Sequence, residues 1–134
     1  MALDIGAKRI GVAVCDELRI AVRPLAPIQR RSWKRLLQEV GRLMDELEAR
    51  TLVIGLPLRL DGSEGDAAAD VRQLAEKFGQ SLSIPVYLQD ERLTTFSARD
   101  NLQAEGRNVK EITERIDSEA AAIILRDFIN NAQL

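Results

Sequence analysis

The apolar residues first change their period near Ser32, after which helical and strand-like runs alternate, and this pattern restricts the fold to a sheet covered by helices. Before it, Ala2–Ile5 reads as a short strand and Ile10–Cys15 as a β-branched-rich one, on either side of a turn at Gly6–Arg9, so the pair reads as a hairpin. A third strand lies within Arg19–Arg30, where Pro24 and Pro27 confine it to an edge. Three strands in succession are best joined antiparallel. After the change, Leu36, Val40, Leu43, Met44 and Leu47 recur at helical spacing behind a Ser32 N-cap. Thr51–Leu56 is a continuous apolar strand of the kind buried on both faces. Val71, Leu74, Ala75, Phe78 and Leu82 mark a second helix, and Ile84–Leu88 a further strand. A third helix is expected from Thr94 or Thr95 to Gly106, and a short helical piece from Val109. A last helix begins close to Asp117 and carries Ala121, Ile124, Leu125, Phe128 and Ile129 on one stripe. The order βββαβαβα predicts an α/β fold with a mixed five-stranded sheet, three antiparallel strands followed by two parallel ones, flanked by helices. Residues 1–134 are read as one domain.

What the chain lacks narrows its chemistry. It has no histidine, which excludes histidine-based zinc sites, Ser-His-Asp triads and histidine-dependent phosphodiester cleavage. Carboxylates, lysine, arginine and hydroxyls remain, and oxygen donors favour a hard ion such as Mg²⁺ over zinc. The single cysteine, Cys15, precludes an internal disulfide and fits a reducing compartment. With no apolar run of membrane-spanning length and no export signal, the expected location is cytoplasmic. The formal charge is −2, but Leu18–Gln38 contains no acid while holding Arg19, Arg23, Arg30, Arg31, Lys34 and Arg35. Such a block suits a phosphate backbone or a plain solvated surface.

Three acids stand out. Asp4 interrupts an apolar strand, where a buried carboxylate needs a cation or hydrogen-bond donors; alternatively the hairpin lies at the sheet edge and Asp4 faces water. Glu91, in Asp90-Glu91-Arg92, follows a strand whose carboxyl end is where α/β sheets gather ligands, unless it belongs to an ordinary polar loop. Asp117 precedes an apolar helix and reads locally as an N-cap. Taken together, three converging carboxylates would hold one or two divalent cations that promote phosphodiester hydrolysis. The segment Gly55–Gly65 leads into a helix N-terminus suited to anions, but it lacks the Lys-Ser/Thr of a P-loop.

Four segments carry a resemblance: Leu3–Val14 (LDIGAKRIGVAV), Gly55–Gly65 (GLPLRLDGSEG), Asp90–Thr95 (DERLTT) and Ile116–Leu125 (IDSEAAAIIL). In this order and spacing the chain resembles the YqgF/RuvX family. The resemblance implies a ribonuclease H-like fold and acidic catalytic and metal-holding residues at Asp4, Glu91 and Asp117, with Mg²⁺ or Mn²⁺ as the ion. It further places Lys8 and Arg9 near substrate phosphates and Arg92 in the motif beside Glu91; Arg30, Arg31 and Lys34 are added as nucleic-acid contacts from the basic block. The activity it implies is a nuclease maturing the 5′ end of precursor 16S rRNA, with resolution of branched DNA junctions as the alternative. A third reading is a nucleic-acid-binding or ribosome-assembly module without turnover. Asp4-Ile5-Gly6 is also similar to the opening hairpin of actin-type kinases, but those need two such domains, for which 134 residues are too few. Junction cleavage would suit a homodimer and RNA trimming a monomer.

Overall fold

A computed structural model describes residues 1–91 and 109–132, with side chains described for 1–91 and 118–131. The elements are β1 (Ala2–Ile5), β2 (Arg9–Cys15), β3 (Val22–Gln29), α1 (Trp33–Glu46), β4 (Leu52–Leu56), α2 (Asp66–Leu82), β5 (Val86–Asp90) and α3 (Val109–Ala132). The five strands form one sheet in the order β3-β2-β1-β4-β5. β1, β2 and β3 are antiparallel neighbours, whereas β1–β4 and β4–β5 are parallel. This is the mixed sheet expected of a ribonuclease H-like chain. The helix expected between Thr94 or Thr95 and Gly106 lies outside the described residues.

Side chains alternate across the sheet and divide the core in two. Leu3, Ile10, Val12, Leu52 and Ile54 face α1 and α2, where Leu36, Val40, Val71, Leu74 and Phe78 are buried. Ala2, Ala13 and Val53 face the other way, onto Ala121, Ala122, Ile124 and Leu125 of α3. The sheet contributes alanine and valine on that side, so a long helix lies close against it. Among the described residues no helix is long and apolar enough to cross a membrane.

Local chemistry explains most boundaries. Gly6 N–H donates to Arg9 O at 3.0 Å to close the β1–β2 turn, and a Cβ at Gly6 would lie 2.5 Å from that same oxygen. Ser32 caps α1 by accepting from Arg35 N at 3.2 Å. β3 is an edge strand, as its prolines require. β5 begins two residues later than the sequence suggests because Pro85 has no N–H to give; its carbonyl still accepts from Leu52 N at 3.1 Å. The largest departure is α3, which starts at Val109 as one continuous helix, so Asp117 lies inside it and is not its N-cap.

A bulge shapes the β2–β3 pair: Ile10 pairs with Ile28 but Val12 with Leu25, leaving an extra residue on β3. Leu25 and Ile28 thereby both turn toward the α1–α2 layer. Ser118, the one buried polar residue among those described, reaches this bulge from α3. Its Oγ donates to Leu25 O and accepts from Val12 N at 3.5 Å. One hydroxyl thus ties α3 to two strands. Ser118→Ala leaves both backbone groups without that partner and is expected to cost about 1–3 kcal/mol in denaturant-induced unfolding, with Ser118→Thr retaining part of the loss.

Candidate functional site

The same alternation that builds the core assembles a polar site at one end of it. Asp4 follows Ala2 on the α3 face of β1, and Gly55 follows Val53 on that face of β4. Glu91 shares its side with Tyr87, whose ring meets Phe128 of α3 with centroids 5.3 Å apart. All three positions sit at the carboxyl ends of parallel strands, where the chain turns away and backbone groups open toward a ligand. β1 is the middle strand, so Asp4 is half-buried in the sheet and does not stand at its edge.

Glycine makes room there. Asp4 pairs with Gly11 on β2, and the β1–β4 register that sets Leu3 opposite Ile54 continues toward Gly55. The Asp4 carboxyl is therefore bordered by two residues without side chains. A Cβ on Gly55 would lie 2.6 Å from Glu91 Oε2 and 2.5 Å from Ile124 Cδ1, so the Glu91 carboxyl occupies the volume that any other residue would fill. Glu91 is fixed through its backbone as well, its N–H donating to Leu56 O at 3.2 Å. Gly55→Ala is expected to destabilise the fold by about 1–3 kcal/mol and to displace the Glu91 carboxyl, which a crystal structure of the variant would reveal.

The electrostatics are severe. Burial pushes the Glu91 carboxyl up to about 9, and a hydrogen bond with Asp4 and the charges of Asp4 and Asp90 push the same way. Among the described residues its buried Oε2 has no hydrogen-bond partner. A carboxyl so placed holds its proton through the neutral range. From about pH 4.5 to about 9 the folded chain carries a proton on Glu91 that the unfolded chain has released, so stability falls as pH rises through this window. In chelator, Glu91→Gln is expected to melt above the parent at pH 8, by about 1–3 kcal/mol, with the gap closing by pH 4.

The other expected residues are spread differently. Asp117 lies on α3 next to the Ser118 anchor and seven residues, two helical turns, before Ile124. Lys8 is exposed in the β1–β2 turn and Arg9 half-buried at the start of β2. Arg30 is engaged within the fold: it donates to Gly6 O at 3.0 Å and pairs with Asp70 at 3.0 Å. Arg31 and Lys34 are exposed beside the start of α1. Arg92 lies outside the described residues. The basic block is not one surface, because β3 runs its length of about 25 Å between Arg19 and Arg30 and sends them to opposite ends of the sheet.

Among the described residues no three His, Cys, Asp or Glu side chains are grouped to hold a metal ion; the described site consists of Asp4 and Glu91. A cavity of about 1040 Å³ lies at the other end of the sheet between Met1, Cys15, Tyr87 and Phe128, and neither carboxyl lines it. Gly55–Gly65 is only partly a loop: Gly55 belongs to β4, and the tip is closed by a Leu58–Glu64 bridge and by Asp61 accepting from Ser63 N at 2.8 Å. Gly55 and Ser118 are the two site-shaping residues that the sequence reading passed over. A glycine inside an otherwise continuous apolar strand was the available signal for the first.

Comparison with known proteins agrees along the whole chain. A family model described as Holliday junction resolvase, RuvX, matches residues 1–131. A protein of Anaeromyxobacter sp. (strain Fw109-5) is 39% identical over 130 residues, covering 97% of this chain and 95% of its own. One from Synechococcus elongatus is 38% identical over 130 residues, covering 97% and 87%. One from Thermosynechococcus vestitus is likewise 38% identical, covering 97% and 86%. Each of the three bears the name "Putative pre-16S rRNA nuclease".

Proposed function

This chain belongs to the YqgF/RuvX family, and from that premise we propose that it is a cytoplasmic, metal-dependent endonuclease that hydrolyses phosphodiester bonds in precursor 16S rRNA. The observation that carries the reading is the Asp4–Glu91 pair: two carboxyls in hydrogen-bond contact, one of them with a buried oxygen that has no partner among the described residues. Structural carboxyls buried in a sheet are matched by donors. Here one acid faces another and a second oxygen of Glu91 is left over, an arrangement that suits a divalent cation.

Asp4 and Glu91 are the ligands in this reading, and Asp117 completes the set from α3. Mg²⁺ or Mn²⁺, when bound, supplies Lewis-acid polarisation of water and phosphate and neutralises developing charge. The chain's own groups do the rest. Glu91 gives up its proton when the site is loaded, and its position against Gly55 fixes the carboxyl. Lys8 and Arg9, on the turn directly after β1, hold backbone phosphates so that water meets the scissile phosphorus in line. Arg92, next to Glu91 in sequence, is assigned to the same phosphates or to orienting Glu91.

The family description, Holliday junction resolvase, favours a second reading in which branched DNA is the substrate. A single assay separates them: precursor 16S rRNA and a four-way DNA junction, each with Mg²⁺ or Mn²⁺. Cleavage of the RNA at its 5′ end is expected. Asp4→Asn is expected to fold normally and to lose more than about 100-fold of that activity, since removing even an outer partner of a metal ligand costs about 10–100-fold. Undiminished cleavage by Asp4→Asn would refute the carboxylate mechanism.

A further inference from the structure

The carboxyl ends of β1 and β3 and the start of α1 lie at one end of the sheet, and on the α1–α2 side of that end is a cleft of about 160 Å³. Arg30, Arg31, Gln73 and Lys77 line it, with Trp33 and Asp70 in its walls. Arg30 is locked in place: one guanidinium nitrogen donates to Gly6 O, and another meets both Asp70 oxygens at 3.0 and 3.3 Å. The Lys77 ammonium stands 5.3 Å from the centroid of the Trp33 ring, and that ring is itself held edge-on by Phe78 at 4.8 Å. Three cations against one acid leave the cleft positive, and Arg31, Gln73 and Lys77 present exposed donors. α1 begins at Trp33, so its positive end adds to the field.

This cleft does not touch the Asp4–Glu91 site but is coupled to it through the hairpin turn. Gly6, whose carbonyl holds Arg30, comes two residues after Asp4, and Lys8 O accepts from Arg30 N at 2.9 Å. A polyanion crossing this end of the sheet would pass from the carboxyls on the α3 side, over Lys8 and Arg9, into the cleft on the α2 side. We infer that the Arg30–Arg31–Gln73–Lys77 cleft is a second phosphate seat, which grips the nucleic-acid backbone away from the bond that is cut. The inference rests on the nuclease reading above, and adds to it a footprint that wraps the turn after β1. A rigid cation flanked by two exposed ones suits a phosphodiester oxygen pair, and contacts to phosphate position a strand without reading its sequence.

The test is binding, measured by fluorescence anisotropy of a fluorescein-labelled single-stranded RNA on the full chain, without divalent ions so that the strand stays intact. Arg31→Ala/Lys77→Ala removes two exposed donors, while Arg23→Ala/Arg50→Ala removes the same charge from exposed positions at the other end of the sheet. The first pair is expected to weaken binding about tenfold and to lower the salt dependence by about one phosphate. The second is expected to change affinity less than about threefold, and Arg31→Lys/Lys77→Arg to restore it. Equal weakening by both alanine pairs, or parental affinity in the first, would overturn the cleft while leaving the nuclease reading intact. If the parent chain binds neither this RNA nor a labelled four-way DNA junction, the nuclease reading falls and takes the cleft with it.

Discussion

Two carboxyl groups sharing one partly buried position set the terms for the rest of the molecule. Asp4 and Glu91 arrive from strands separated by β4, and they meet only because Gly55 leaves β4 bare between them. Held together without a cation, they keep a proton well above the usual carboxylate range. That arrangement opposes folding, and the surroundings compensate through packing. Val53, Ala2 and Ala13 seat α3 against the sheet, and Ile124 presses its side chain against Gly55 beside the Glu91 carboxyl.

Much of this was legible in the sequence, for reasons that can be named. A period of two followed by a period of 3.6 identified the hairpin and the helices, since burial of one face imposes those repeats. Pro24 and Pro27 located the edge strand because they cannot donate to a ladder. Asp4 was conspicuous as the one charge in an apolar strand. What escaped has an equally physical origin. A serine contacting a bulge on two strands is decided by tertiary packing, and Ser118 next to Asp117 has no local signature. A helical piece from Val109 was expected, but its continuity with the last helix was hidden, because Lys110–Arg115 is mostly polar and carries the apolar stripe weakly. Convergence of Asp4 with Glu91 depends on strand order, which spacing does not encode.

Charge was the property that sequence misrepresented most. Leu18–Gln38 reads as one basic segment, yet an extended strand is long compared with any binding cleft. The fold therefore divides the segment between the two ends of the sheet and joins part of it to Lys77, some forty residues away in α2. Arg30, the most central of these cations, serves the fold through Asp70 and Gly6 as much as any ligand.

The prolines of β3 have a further effect. An outermost strand ordinarily offers an unbroken row of amide donors to which any extended peptide can attach, and this is how sheets recruit one another into aggregates. Pro24 and Pro27 remove two of those donors on either side of Ala26, and the bulge between Leu25 and Ile28 shifts the remaining ones out of line. The flank of the molecule is thereby closed to indiscriminate growth of the sheet, without surrendering the pairing it makes inward to β2.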